Sequence, residues 1–419
     1  MILFSGFQII YERVSENLKE VKQMKSKFKK IILAILVLVL VFAASITFIL
    51  RNEISTLMSI EQVRVRNDEH LDGSVYTMDV SGGFYLEDFI AQGGVSNDQE
   101  LIDFIVSHLT HGLVDIQVKK PNIGCSSFTA VAENGDQLFG RNYDFSKTNT
   151  MIVRTKGNGE RHSTLSTSDL QFMDIDAEKD LTDIRDKVIS LAAPYTPIDG
   201  INDAGVSCGI YMTYQGMETV ATDQQTEKPD ITSTTLLRLI LDYADDIEEA
   251  IDIAKQYDLH DSANTSFHYM VSDASGRSAI LEWVGKTDAT DNDGAKRELV
   301  VTYNDQDEYI GKKEGSTDYQ VITNFIIQPG YYDEASSKKT GLDRYEKIYE
   351  ELDARNGVVK DEKDAMSILE MVGRRTWKND DKNGCTVHSV VYNNTKRSML
   401  WVPNENFDDP DAYFEFNFD

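Results

Sequence analysis

Cysteine is scarce in this chain: Cys125, Cys208 and Cys385 are the whole complement of 419 residues. Their separations of 83 and 177 residues exclude a cysteine-based zinc site. Basic side chains are scarce beyond the N-terminus. Residues 1–51 hold eight Lys and Arg against three Asp and Glu, whereas the rest holds 34 against 67, a balance of −33. A surface of that sign repels nucleic acid and excludes it as a partner. Internal repeats and low-complexity tracts are absent, and 41% apolar residues suffice for a sizeable core in one large domain or two modest ones.

Residues 31–50, by contrast, are an unbroken run of 20 apolar and small residues. At 1.5 Å per residue such a run spans a hydrocarbon core of about 30 Å. Lys22, Lys25, Lys27, Lys29 and Lys30 precede it, so the positive-inside rule places residues 1–30 in the cytoplasm and everything after Arg51 outside. From Met24 onward the layout is also that of a signal peptide, with Met24 as an alternative start. The length of the run, with its small cluster Ala43-Ala44-Ser45 lying inside it, favours an uncleaved anchor over a removed signal. No cysteine follows closely, which argues against a lipid-anchored lipoprotein. The remainder is expected outside the cell membrane, or secreted if the helix is cut, and an odd cysteine count there leaves at least one thiol free.

Residues 51–73 read as a polar stalk. Order is expected from Ser74: a short strand at Val75, Tyr76, Met78 and Val80, then Ser96 with Gln99 as a capping box ahead of the helical stripe Leu101, Ile102, Ile105 and Leu109. Residues 74–124 thus read as a structured segment, and residues 125–419 as the catalytic domain. Past Cys125 a hairpin is expected, strands 126–132 and 137–141 around Asn134-Gly135. Helical patterns follow at 236–243, 247–254, 342–352 and 364–372, with hairpins at 268–283 and 386–401. That order predicts an α+β layered domain with sheets inside and helices outside.

The chemistry centres on Gly124-Cys125-Ser126-Ser127-Phe128 and Gly140-Arg141-Asn142-Tyr143-Asp144-Phe145, which place Arg141 and Asp144 16 and 19 residues after Cys125. A cysteine that attacks amides needs a base, and its own α-amine, of pKa roughly 8, suits neutral catalysis. An internal cysteine has no such amine, so the Gly124–Cys125 bond is expected to be cut before the enzyme works. The hairpin brings Arg141 and Asp144 back beside the cysteine strand. Arg141 is the candidate for lowering the thiol pKa from about 8.5, and Asp144 for holding the α-amine or the arginine. The bland alternative is a surface Arg141–Asp144 ion pair with Cys125 as a small core residue.

These motifs resemble the choloylglycine hydrolase and penicillin V acylase family of linear amide C-N hydrolases. The likeness covers residues 125–402. Asp199-Gly200-Ile201-Asn202-Asp203-Ala204-Gly205 resembles the family turn that leads into an oxyanion-hole strand, here reaching Tyr211-Met212, and His268-Tyr269-Met270-Val271-Ser272-Asp273 resembles its mid-chain hairpin. Thr323-Asn324 resembles the family's Thr-Asn, and Asp343-Arg344-Tyr345 its arginine near the nucleophile. The resemblance implies a four-layer αββα N-terminal nucleophile hydrolase sandwich without a cofactor or metal, acting on a small-molecule N-acyl amide. It further implies Cys125 as nucleophile, Asn324 Nδ2 and the Met212 N–H as oxyanion donors, and Arg344 beside the nucleophile. Met212 stands where the family usually has Asn or Tyr. Residues 325–341 are shorter than the bile-salt hydrolase loop and differ from it, which speaks against bile-salt specificity. The extension ahead of Cys125 resembles the propeptides of acid ceramidase-like and penicillin side-chain acyltransferase enzymes.

Two rival functions stay open: a cysteine peptidase with His268 or His388 as base, and a surface-anchored binding protein that keeps the fold without processing. His108 and His111 lack a third ligand and read as surface residues. Asp288, Asp291, Asp293 and Gly294 suggest a calcium loop, but Ala289 and Val300 occupy ligand positions, so they read as a solvated turn. Oligomeric state, and the acyl group and amine recognised, are not readable.

Overall fold

The structure, a computed structural model, describes residues 2–114, 116, 124–216, 218–288, 290–306, 319–333, 338–377 and 384–418, with side chains from Tyr11 onward. Asp115 and residues 117–123 of the expected propeptide and Ala289 of the calcium-like pattern lie outside them. The chain divides into two units, Met1–Ile54 and Ser55–Asp419.

In the first unit the apolar run is part of a longer helix, α1 (Ile2–Ile49). Its stretch Tyr11–Ile49 is long and apolar enough to cross a membrane. The hydroxyls of Ser45 and Thr47 bond back to the carbonyls of Val41 and Ala43 at 2.8 and 2.9 Å. The polar groups inside the apolar stretch are thereby satisfied within the helix.

The second unit begins earlier than expected. The chain forms α2 (Arg51–Met58), β1 (Glu61–Arg64), β2 (Val75–Asp79), α3 (Leu86–Ala91) and α4 (Asp98–His108) before Cys125. Next come β3 (Gly124–Ala132), β4 (Gln137–Ser146), β5 (Thr150–Thr155), β6 (Thr164–Asp169), α5 (Ile184–Ile189), β7 (Pro197–Asn202) and β8 (Ser207–Met212). They are followed by β9 (Asp230–Thr232), α6 (Ser233–Tyr243), α7 (Ile247–Gln256), β10 (Asp258–His260), β11 (Phe267–Ser272), β12 (Ser278–Val284) and β13 (Glu298–Tyr303). The remainder is β14 (Val321–Ile322), α8 (Leu342–Ala354), β15 (Val358–Val359), α9 (Glu362–Met371), β16 (Gly384–Asn393), β17 (Ser398–Pro403) and β18 (Phe414–Phe416).

Among the described residues, β1-β2-β5-β6-β7-β8-β11-β12-β13 form a nine-stranded sheet, and β14-β3-β4-β16-β17-β18, with β15 on β3, a seven-stranded one. Helix α6 packs on β7 and β8, β3 meets β8 across the two sheets, and α8 and α9 cover β3, β4 and β16. This is the α+β, αββα sandwich that the motifs implied, its core lying between the sheets and beneath both helical layers.

Two differences from the sequence reading concern the segment before Cys125. Residues 51–73 are not an irregular stalk: β1 pairs with β2, and Thr56 Oγ1 accepts the Ser81 N–H at 2.9 Å. Sparse apolar patterning hid an edge strand whose support is backbone pairing. The cap of α4 also sits one residue later than the Ser-x-x-Gln pattern suggests. Asn97 accepts the Glu100 N–H at 3.0 Å, and Glu100 reaches back to the Ser96 N–H at 2.9 Å. Asn is as good a cap as Ser, and Glu serves as reciprocal partner as Gln would.

Candidate active site

Cys125 sits in β3, paired with Tyr143 of β4 across the hairpin. The strand begins at Gly124, so the Gly124–Cys125 peptide itself belongs to the sheet, with Gly124 opposite Asp144. A Cβ at position 124 would lie 3.0 Å from Asp144 Oδ2 and 3.6 Å from Arg344 Nη2. The first approach is tight and would press on Asp144, whereas the second is an ordinary contact.

Strand parity sorts the candidates. Residues i and i+2 share a face and i and i+3 do not, so Arg141 and Tyr143 face the nine-stranded sheet while Asn142 and Asp144 face the helices. Accordingly Asn142 Nδ2 donates to the Leu369 carbonyl of α9 at 2.8 Å, and Tyr143 Oη donates to Asp169 of β6 at 2.8 Å. Arg141 and Asp144 therefore do not form the ion pair considered from the sequence. Arg141 Nε instead pairs with Asp199 of β7 at 2.8 Å. Its Nη2 donates to the Ile210 carbonyl at 2.7 Å and approaches Cys125 Sγ at 3.7 Å. The guanidinium lies over the Tyr211 ring at 4.3 Å. Gly209 makes room, since a Cβ there would be 2.7 Å from Arg141 Nη1.

The other face is organised by Arg344 of α8. Its Nη1 donates to the Cys125 carbonyl at 2.9 Å and to Asp144 Oδ2 at 3.0 Å, and its Nη2 to Asn324 Oδ1 at 2.8 Å. Asn324 Oδ1 also accepts the Cys125 N–H at 3.0 Å, and Nδ2 donates to the Met212 carbonyl at 2.7 Å. Two donors meet the oxygen and one acceptor the nitrogen, so the amide has one sensible orientation. Thr386 Oγ1 holds the remaining Asp144 oxygen at 2.7 Å. A bulge between Thr386 and His388 in the β16–β4 pairing puts Thr386 on the Asp144 side and His388 on the Tyr143 side.

Past Gly209, β8 has no strand partner on its β7 side among the described residues, and side chains take its carbonyls there. Its pairing with β7 ends at Gly209, while Thr213 N–H bonds Ser266 O on the β11 side. By the alternation of an antiparallel ladder, the Ile210 and Met212 peptide groups turn away from β11. Ile210 O is the second neighbour of Sγ, at 3.9 Å.

The electrostatics correct one expectation. Arg141 pulls the Cys125 thiol down, but burial outweighs it and pushes the thiol up to about 11 in the uncut chain. Asp199 moves the other way: although burial opposes ionisation, His388, at 2.8 Å, together with Arg141 and the Tyr392 hydroxyl, brings it down to about 2. All three cysteines are free and buried.

Neither rival histidine touches the thiol. His268 is spent on Glu282 at 3.0 Å and the Thr323 carbonyl at 2.9 Å, and His388 stacks on Tyr143 and Trp401. Asp291, from the calcium-like pattern, pairs with Arg297 at 2.9 Å. Asp199 and Tyr211, read from the sequence only as parts of motifs, and His388, read only as a rival base, are the further side chains of this neighbourhood. A signal existed for Asp199: a buried arginine requires a carboxylate, and strand parity disqualifies Asp144. An apolar cavity of about 70 Å³ is lined in part by Leu101, Ile102 and Ile105 of α4 and by Ile198, Phe267 and Ile210, the last of which has its carbonyl 3.9 Å from Sγ.

The sequence profile described as linear amide C-N hydrolases, choloylglycine hydrolase family, matches residues 125–288. Comparison with curated proteins gives no match. Solved structures similar to this chain include a mutant conjugated bile acid hydrolase from Clostridium perfringens, at 16% identity and TM-score 0.42, covering 70% of this chain and 97% of that one. Penicillin V acylase from Agrobacterium tumefaciens follows at 15% identity and TM-score 0.41, covering 67% and 83%. The Caenorhabditis elegans ortholog of N-acylethanolamine-hydrolyzing acid amidase has 15% identity and TM-score 0.37, covering 65% and 93%. The family match opens on Cys125 itself, so residues 125–288 are similar in sequence to the choloylglycine hydrolase family of linear amide C-N hydrolases.

Proposed function

We propose that this hydrolase is an exported, membrane-anchored acylase whose nucleophile is Cys125, freed as a new N-terminus by cutting of the Gly124–Cys125 bond. The observation that carries the reading is the grip on that peptide. Its N–H lies on Asn324, the next carbonyl on Arg344, and the thiol beside Arg141. In maturation Sγ attacks the Gly124 carbonyl, the C–N bond breaks as the acyl chain moves to sulfur, and the nitrogen takes up the thiol proton. Water then cleaves the thioester, leaving a Gly124 carboxylate and the Cys125 α-amine.

In turnover the α-amine takes the thiol proton and Sγ attacks the substrate's amide carbon. The oxyanion is held by the second Nδ2 hydrogen of Asn324 and the Met212 N–H, each such donor supplying about 3–4 kcal/mol. The ammonium returns its proton to the departing amine, and water hydrolyses the acyl-enzyme. Arg344 and Asp144 position Cys125 from the far face of the sheet. Asn324, once released from the Cys125 peptide N–H, keeps its hold on Arg344. The acyl group enters the apolar cavity, so apolar acyl amides are turned over in preference to polar ones. Penicillin V, N-acyl amino acids, N-acyl homoserine lactones and fatty amides form the test panel.

Intact mass and N-terminal sequencing of the purified protein decide the maturation step. A fragment beginning at Cys125 is expected, and an uncut chain with full activity overturns the reading. Cys125→Ser with wild-type amidase activity would remove the nucleophile assignment.

A further inference from the structure

Away from the thiol, Asp230 and Asp258 stand directly opposite each other in the parallel pair β9–β10. Like charges facing each other across a ladder repel. His260, two residues beyond Asp258, projects from the same face. One ligand atom from each of Asp230, Asp258 and His260 falls within 4.8 Å of those of the other two. His260 Nε2 is 3.2 Å from Asp230 Oδ1 and 3.3 Å from Asp258 Oδ1. Bonds of roughly 2.0–2.1 Å to a tetrahedral zinc ion space its ligands about 3.3–3.4 Å apart.

Three further observations converge on a cation. Asp258 is 1% exposed, and its Oδ1 has no hydrogen-bond partner, the other oxygen being taken by the Thr226 N–H. Nδ1 of His260 lies 2.7 Å from Asp223 Oδ1, the outer carboxylate that typically orients a metal-bound imidazole. Among the described residues, none of the three aspartates pairs with a lysine or arginine; each has only His260 as its ionic partner. Even a protonated imidazole leaves two negative charges uncompensated.

We propose that Asp230, Asp258 and His260 bind one divalent cation of the zinc class, with Asp223 orienting the imidazole and the fourth position facing solvent. One nitrogen and two carboxylate oxygens suit zinc better than calcium, which takes six to eight oxygens. The site shares no residue with the thiol centre. Its backbone lies where the segment before Cys125 joins the rest: the Asp230 N–H donates to Gly93 O at 3.0 Å, and the Ala263 N–H to Asp98 Oδ2 at 2.6 Å. The ion therefore clamps that seam and takes no part in amide chemistry. Ligands 28 and 30 residues apart form no sequence motif, which is why spacing alone did not reveal them.

The test uses the full chain, stripped with chelator and titrated with zinc alone, read by calorimetry, elemental analysis and thermal unfolding. One zinc per chain and a raised Tm are expected. Asp223→Asn should weaken binding about 10- to 100-fold. Asp230→Asn, at a partly exposed ligand, should abolish it while amidase activity in metal-free buffer persists, which also shows that the variant is folded. Cobalt should give intense tetrahedral visible bands in the parent chain and lose them in Asp230→Asn. No bound zinc, or equal binding by Asp230→Asn, overturns the proposal.

Discussion

Burial pushes the Cys125 thiol up to about 11 although a guanidinium lies 3.7 Å away, because Arg141 shares its charge with the Asp199 carboxylate and the Ile210 carbonyl and its pull on the thiol is outweighed. In an uncut chain the thiol should therefore be a poor nucleophile at neutral pH. Its alkylation rate by iodoacetamide is expected to climb about tenfold per pH unit from pH 8 toward 11, whereas cut protein reacts rapidly near pH 8 through its α-amine. Mass spectrometry of both forms across that range checks this. Gly124→Val brings branched carbons against Asp144 and Arg344 and should slow cutting severely, seen as persistence of the full-length band. Asn324→Ala removes an oxyanion donor and should lower kcat about 10²- to 10³-fold. At this scale Cys125, Arg141, Asp144, Asn324 and Arg344 were all legible as a neighbourhood. The two faces of β4 were not assigned, although the odd spacing of 141 and 144 on one strand already contained that information.

Between elements, Asp199 is the tie that crosses the sandwich, from β7 in one sheet to Arg141 of β4 and His388 and Tyr392 of β16 in the other. Replacing it with Asn leaves a buried arginine unpaired, and a loss of about 3–5 kcal/mol is expected in chemical denaturation. The acid limb gives a second readout. A carboxyl held near 2 in the folded protein contributes stability that is complete above about pH 4 and vanishes as pH falls through 2. Asp199→Asn should flatten that limb of the stability curve. The hairpin around Asn134-Gly135, the helices after residue 232 and the closing β16–β17 hairpin were readable because period and turn chemistry agree locally. Strand β1 and the pairing of β2 with β5 were not, since non-local backbone pairing leaves little trace in side-chain pattern.

On the scale of the whole molecule, the segment ahead of Cys125 is built into the enzyme. β2 runs parallel to β5 from Val75 opposite Thr150 to Asp79 opposite Arg154, and Met78, Leu86, Phe89 and Phe104 join the common core. After cutting, the two pieces should copurify on size-exclusion chromatography and separate only in denaturant. An enzyme fed through α1 would then stay at the membrane although no covalent bond links its catalytic part to the anchor. Removal of residues 1–50 should convert it to a form recovered without detergent and still cut at Gly124.

The β2–β5 ladder has one more effect. Made alone, residues 125–419 would expose β5 as a bare outer strand, with Met151, Ile152 and Val153 flanking a row of unpaired amides, the arrangement that templates aggregation. The leading segment is thus a built-in folding partner. Expressed by itself the catalytic piece should precipitate, and coexpression of residues 55–124 should return it to solution, which a simple spin-down assay measures.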